Sequence, residues 1–477
     1  MLFNSIEFLI FLPVVFLLYW FVFNRNLKLQ NFFLLVISYV FYGWWDWRFL
    51  LLIFFTSMCS YVFGLQIDKN KRWKRRFYSG LNIAINIGVL GFFKYFDFFI
   101  ESFIEAFSLV GIHLHARTLA IVLPVGISFY TFQALSYTID VYNRKVTPTQ
   151  DIIAFFAYVS FFPQLVAGPI ERATHFLPQF FKKRNFNYTQ AVDGMRQILW
   201  GFFKKVVVAD NCATYVDYIF ENHEILPASS LIIGGIYFAF QIYGDFSGYS
   251  DIAIGTARLF GFNLMRNFNY PYFSRNIAEF WRRWHISLTT WFRDYLYIPL
   301  GGSRVSRPKV IRNVIIIFLV SGFWHGANWT YIFWGLLNAI YFLPLILLHK
   351  NRKYTNTVAQ GRILPNLKES FQMLTTFAIT CIAWIFFRAD NLPDAIEYLS
   401  NIWSKTIFST PIDSGFMVVI PFILLMLIIE WLNRFKQHGM EISSIKHQAI
   451  RWTIYASIVV IIFTWGASQQ TFIYFQF

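Results

Sequence analysis

Apolar stretches of near-membrane length recur from one end of this chain to the other, separated by short polar or basic connections. Crossing the hydrocarbon core of a bilayer takes about 20 mostly apolar residues in a helix. On that measure the sequence predicts spans near residues 5–23, 31–43, 49–67, 79–96, 119–139, 151–167, 191–209, 229–245, 310–348, 371–388, 416–432 and 451–466. The expected fold class is an all-α polytopic membrane protein with roughly ten to twelve membrane-spanning helices. No repeat, low-complexity tract or soluble insertion interrupts the series, so residues 1–477 are expected to form a single membrane domain.

One apolar run stands apart by its length. Val314 to Leu348 contains no Asp, Glu, Lys or Arg. As one helix it would extend about 50 Å, against a hydrocarbon core of about 30 Å. A break is expected, and Gly322, Gly326 and Asn328 mark its place. Irregular backbone at membrane depth is tolerated only where protein or a water-filled cavity satisfies it. His325 falls at this break, in Ser321-Gly-Phe-Trp-His-Gly-Ala-Asn-Trp329. An ionisable group there is costly and faces a protein interior or a cavity. Helical spacing puts Ser321, His325 and Asn328 on one polar stripe beside Gly322, Gly326 and Ala327. Two readings stay open. One is a close helix seam whose histidine satisfies a neighbour's carbonyl; the other is a general base lining a cavity, its ring held by Asn328 or Ser321.

The polar segment from Met265 to Arg312 has a different pattern, rich in Arg, Trp and Tyr. That mixture is typical of a membrane interface, and its basic excess favours the cytoplasmic side. On a helical projection Trp281, Trp284, His285, Leu288 and Phe292 share one face, with Arg282, Arg283, Ser287, Thr290, Arg293 and Asp294 mostly opposite. His285 is then either a packing residue of an amphipathic surface helix or a site residue. Upstream, Tyr243-Gly-Asp-Phe-Ser-Gly-Tyr-Ser-Asp251 places Asp245 and Asp251 in a costly setting. They can do acid–base work or satisfy broken backbone, and six positions apart they need not meet.

Composition narrows the function classes. The chain is 57% hydrophobic and only 14% charged, where soluble domains carry about 25% charged residues. The first apolar segment lacks a basic n-region and a small-residue cleavage site, which predicts an uncleaved span. A net charge of +16 raises nucleic acid as a partner. However, the charge concentrates in loops, with Lys69 to Arg76 and Arg25 with Lys28 flanking a connection that has one basic residue. By the positive-inside rule this places the N-terminus outside and both basic loops inside, and argues against nucleic-acid binding. Cys59, Cys212 and Cys381 are too scattered for a disulfide framework or a zinc site. His113 and His115 fall in an expected loop, and the histidine spacing predicts no metal. No nucleophile elbow, P-loop or dinucleotide fingerprint is present.

Four stretches together resemble the membrane-bound O-acyltransferase (MBOAT) superfamily, most closely its bacterial alginate O-acetyltransferase branch. They are Leu123 to Gln133, Phe162 to Ile170, Asp245 to Asp251, and Phe280 to Gly302 with Ser321 to Trp329. This signature core covers about residues 120–335. The resemblance implies helices ringing a thin central region crossed by a tunnel. It implies His325 as the catalytic histidine and His285 as the second signature position; Asn328, Ser321, Asp245 and Asp251 are supporting candidates by their own positions in the sequence. It also implies acetyl-CoA as a cytosolic donor substrate rather than a bound cofactor, and a location in the cytoplasmic (inner) membrane. The acceptor would be an exported cell-surface or secreted polysaccharide, reached through a periplasmic or extracellular serine-hydrolase-like partner. Arg282, Arg283 and Arg293 suit either coenzyme A phosphates or membrane anchoring. Teichoic acid, lipid or protein acceptors remain alternatives, as does a polysaccharide or lipid transporter with a proton relay at His325.

Overall fold

The structure, a computed structural model, describes residues 1–475 apart from 109–110, 113–118, 120, 167 and 412–414. His113 and His115 lie outside the described residues. Within them the chain is helical, with no strand. Two compact units emerge, one of residues 1–191 with 256–265 and one of residues 192–255 with 266–477.

The first unit holds α1 (Ile6–Leu17), α2 (Leu27–Gly43), α3 (Leu50–Lys69), α4 (Arg72–Ser108), α5 (Ile127–Tyr142) and α6 (Ile152–Ser160), followed by the single turns α7 (Phe162–Leu165) and α8 (Ala173–Phe176). Side-chain acceptors start several of these helices. Ser5 caps α1, Asn26 caps α2 and Asp151 caps α6, each satisfying an amide that the first turn leaves open. Where α3, α4 and α5 pack together, Asn82 donates to Thr138 Oγ1 at 2.5 Å and to Ser60 Oγ at 3.3 Å. Such pairing is what allows an amide side chain in an otherwise apolar interior.

The second unit carries most of α9 (Tyr188–Phe202), then α10 (Asp210–Glu221) and most of α11 (Ala228–Leu259). The short helices α12 (Ile277–Arg283) and α13 (Ile286–Phe292) precede a long pair, α14 (Arg307–His325) and α15 (Trp329–Leu347). The unit ends with α16 (Leu367–Arg388), α17 (Leu392–Ile402), α18 (Ile420–Leu432) and α19 (Gln448–Trp465). The expected break lies where the sequence puts it: α14 stops at His325, Gly326 is extended, and Asn328 caps α15 by accepting from the Thr330 amide. The close seam is present as well. A Cβ on Gly322 would meet the Tyr331 carbonyl oxygen at 2.2 Å, and one on Gly335 would meet the Phe318 carbonyl oxygen at 2.3 Å. Backbone-to-backbone approach of this kind needs glycine on both helices.

Two expectations are corrected here. The stretch 281–292 is not one amphipathic helix, because His285 adopts a left-handed conformation (φ 42°, ψ 55°) and splits it into α12 and α13. Asn328 does not share a stripe with Ser321 and His325, since it belongs to the next helix. Among the described residues, five helices are long and apolar enough to cross a membrane: Trp47–Lys69, Arg72–Ser108, Trp329–Leu347, Leu367–Arg388 and Gln448–Trp465. Other expected spans are shorter apolar helices, such as Ile6–Val22 and Leu27–Gly43, or carry polar residues, as α11 does with Asp245 and Asp251.

Candidate active site

His325 sits at the C-terminal end of α14, 5% exposed, inside a box of aromatic rings. Trp334 and Phe387 present their rings near-perpendicular to it at 5.1 and 5.2 Å. Trp324 lies at 4.9 Å and Tyr474 at 5.6 Å. α15 supplies Trp334 and α16 supplies Phe387, so the two helices packed around the break also fix the imidazole.

His285 reaches the same place from the α12–α13 corner and is 1% exposed. Its ring meets Phe246 edge-on at 4.5 Å and shares two neighbours with His325, Trp324 at 6.0 Å and Tyr474 at 6.2 Å. Burial pushes the His285 imidazolium well below the usual histidine range, so this ring is neutral. A left-handed histidine persists only where surrounding structure holds it. Asn267 does so. Its carbonyl oxygens accept from the Ile286 amide at 2.8 Å and the Ser287 hydroxyl at 2.9 Å, and its own amide donates to Ser250 Oγ at 3.1 Å. Sequence reasoning missed Asn267; the signal was a short polar side chain in the segment leading to the histidine corner.

Both histidines line one cavity of about 880 Å³. Ser321, one turn before His325, lines it too, as do Trp281 and a set of arginines: Arg282, Arg293, Arg304, Arg307 and Arg352. The histidines are buried while all five arginines are exposed. The cavity therefore leads from a strongly basic mouth to a neutral aromatic interior. Trp281 packs against Trp334 at 5.7 Å, and its buried indole nitrogen has no hydrogen-bond partner among the described residues.

The supporting candidates divide. Asn328 does not line the cavity; it caps α15 and its amide donates to the Asp390 carbonyl at 2.8 Å. Arg283 turns inward to Glu279 at 2.9 Å, whereas Arg282 donates to the carbonyls of Asn351 and Tyr354. Asp251 pairs with Lys204 at 2.6 Å and accepts from Gln197 at 2.7 Å. Asp245 pairs with Lys205 at 2.7 Å and accepts the amide of Ile473 at 2.7 Å. The two aspartates thus make separate ion pairs and do not form a carboxylate dyad. Through Ile473, Asp245 bears on the site indirectly, because the next residue is the Tyr474 that touches both histidines. Sequence reasoning missed Tyr474; the aromatic C-terminus was its only signal.

A buried histidine at the inner end of a roomy cavity with a cationic entrance is compatible with moving an acyl group, and its kinship makes the protein a membrane acyltransferase. Residues 145–387 match the model of the membrane-bound O-acyltransferase family, and the chain belongs to that family as a multi-pass membrane protein. It is 41% identical over 408 residues to a probable alginate O-acetylase of Pseudomonas aeruginosa, covering 85% of this chain and 75% of that one. A peptidoglycan O-acetyltransferase of Helicobacter pylori is 37% identical over 432 residues, covering 84% and 80%. A teichoic acid D-alanyltransferase of Streptococcus thermophilus is 30% identical over 268 residues, covering 51% and 62%.

Proposed function

We propose that this protein is an O-acetyltransferase of the cytoplasmic (inner) membrane that passes acetyl from cytosolic acetyl-CoA toward hydroxyls of an exported polysaccharide. The observation that carries this reading is the single cavity joining an arginine-lined mouth to two buried histidines. The arginines suit the phosphates of coenzyme A, and the cavity's volume falls in the range of small-molecule sites. Relatives named for alginate and for peptidoglycan acetylation support a polysaccharide acceptor. A serine-hydrolase-like protein on the outer side would complete delivery.

In this mechanism His325 takes the hydroxyl proton of an acceptor as its oxygen attacks the acetyl carbonyl carbon. The tetrahedral oxyanion collapses, the carbon–sulfur bond breaks, and the leaving thiolate regains a proton from the imidazolium. The Trp281 N–H is a donor for the developing oxyanion in place of Asn328, whose side-chain N–H is committed to the Asp390 carbonyl. His285 keeps a second neutral imidazole on the cavity wall.

Membranes carrying His325→Ala test the reading with radiolabelled acetyl-CoA and the polysaccharide fraction of the host. The expected result is loss of acetyl transfer by about 10²–10⁴-fold at unchanged protein abundance. Normal acetylation at normal abundance would overturn the assignment of His325. An acyl donor other than acetyl-CoA would instead leave labelled acetyl-CoA unused by the wild type.

A further inference from the structure

The sequence spacing of the histidines gives no metal site, yet the fold assembles a set of ligand atoms away from the catalytic cavity. Among the described residues, His223, Glu224 and Glu397 each place one ligand atom within 4.8 Å of the others. His223 and Glu224 lie in the turn between α10 and α11, and Glu397 lies on α17. Carboxylates that gather on a surface prove nothing alone. His223 sets this cluster apart.

His223 is only 8% exposed. Its Nδ1 lies 2.8 Å from the Phe220 carbonyl oxygen, which makes Nδ1 the protonated nitrogen and leaves Nε2 with its lone pair. That Nε2 is buried without a hydrogen-bond partner among the described residues. A lone pair out of water and unsatisfied is costly, and a metal-ligating histidine characteristically donates its other N–H to a backbone carbonyl. The corner is also fixed in advance. Tyr398 of α17 stacks on Phe220 at 4.5 Å and donates to the Leu231 carbonyl at 2.7 Å, while Asn401 donates to the His223 carbonyl at 3.5 Å.

We propose that His223, Glu224 and Glu397 form a binding site for a zinc-class divalent cation that staples the α10–α11 turn to α17. One imidazole and two carboxylates suit zinc, whereas calcium and magnesium prefer all-oxygen shells. Three protein ligands leave a position for water. The site also lies where such an ion is accessible. α14 and α15 are antiparallel, with the basic residues Arg304, Arg307, Lys350 and Arg352 at one end and the His325–Asn328 break at the other. α16 starts from that basic end and finishes by the Asn328–Asp390 contact. α17 follows directly, so the site is at the end away from Arg304, Arg307, Lys350 and Arg352, the extracytoplasmic side by the charge rule.

The test uses the full-length protein in detergent, purified through a histidine-free tag, stripped with chelator, and titrated with Zn²⁺ or Co²⁺. The expected result is one equivalent bound, a raised melting temperature, and visible cobalt absorption bands. His223→Ala abolishes the bands, and Glu397→Gln weakens binding by at least about tenfold. Glu397 is exposed, so its substitution leaves the fold intact and keeps the test interpretable if His223→Ala fails to fold. Binding that is unchanged in Glu397→Gln overturns the proposal. So does the absence of stoichiometric binding to the wild type, or an equal response to Ca²⁺ or Mg²⁺.

Discussion

The carboxylate of Asp245 accepts the backbone amide of Ile473 at 2.7 Å, tying the middle of α11 to the last turn of the chain. Lys205 reinforces the tie, pairing with Asp245 at 2.7 Å and Asp210 at 2.8 Å while donating to the Gln470 carbonyl at 3.3 Å. All three charged side chains are 4% exposed or less. This buried triad holds the turn that places Tyr474 against His325 and His285. Removing one member leaves a charge and an amide partly uncompensated, a cost of about 1–3 kcal/mol with Asp210 still in place. Asp245→Ala is therefore expected to speed hydrogen exchange in the segment 470–475 and to lower acyl transfer. Asp245→Asn, which retains an acceptor for Ile473, is expected to do both to a smaller degree. Unchanged protection of that segment in Asp245→Ala would show that the turn is held by packing alone.

The left-handed conformation of His285 gives a way to separate strain from chemistry. Adopting φ 42° with a side chain costs about 1–2 kcal/mol relative to glycine. Both His285→Gly and His285→Ala remove the imidazole, but only the glycine variant relieves the backbone. His285→Gly should thus melt above His285→Ala by an amount equivalent to about 1 kcal/mol. If the ring matters to the site, both variants lose transfer activity alike. Equal melting temperatures would mean that the corner relaxes when Asn267 no longer has a histidine to frame.

Sequence pattern alone located the most informative feature of the fold, the helix break at His325. It did so because a run too long for a bilayer must stop, and the glycines and Asn328 name the place. It failed at His285 because helical projection assumes an unbroken helix, and nothing local in Trp284-His-Ile286 announces a positive φ. It also joined Asn328 to the wrong helix, since a cap and a stripe position look alike in periodicity. The two aspartates show a further limit. Their partners Lys204 and Lys205 lie on a different helical stretch, so spacing left acid–base work and a structural role both open, where the fold makes two separate ion pairs. Tyr474 and the site at His223 depend on contacts between distant segments, which no periodicity encodes.

The α14–α15 seam predicts a sharp contrast between glycines. Gly322→Ala would drive a methyl to 2.2 Å from the Tyr331 carbonyl oxygen, with backbone on both sides and no flexible side chain to yield. The helices must separate, at a cost of about 1–3 kcal/mol or more, and His325 at the end of α14 moves with them. A Cβ on Gly88, in the middle of α4, would meet nothing within 4 Å, so Gly88→Ala should be neutral or stabilise by about 1 kcal/mol through helix propensity. Thermal melts in detergent and transfer assays on both variants check this. A Gly322→Ala protein as stable and active as Gly88→Ala would contradict the packing described for the seam.

The arginines of the Phe280–Arg307 region separate into two kinds, and the separation predicts which kinetic parameter each controls. Arg304 and Arg307 are exposed and line the cavity mouth, where a charge acts on an incoming anion through solvent. Arg283 is buried, with Glu279 accepting from it at 2.9 Å. If acetyl-CoA enters by this mouth, Arg304→Glu and Arg307→Glu raise the donor KM with little change in kcat, since they act on binding and not on the reacting atoms. Raising salt from about 0.05 to 0.5 M should shrink the difference from wild type, because exposed charges are screened over about 10 Å or less. Arg283→Gln should instead leave Glu279 buried beside fewer donors and lower stability by about 1–3 kcal/mol, with loss of protein in the membrane before any change in KM. Steady-state kinetics at two ionic strengths, alongside quantitation of membrane protein, distinguish these outcomes. A KM for acetyl-CoA indifferent to both mouth substitutions would place the donor's entrance elsewhere.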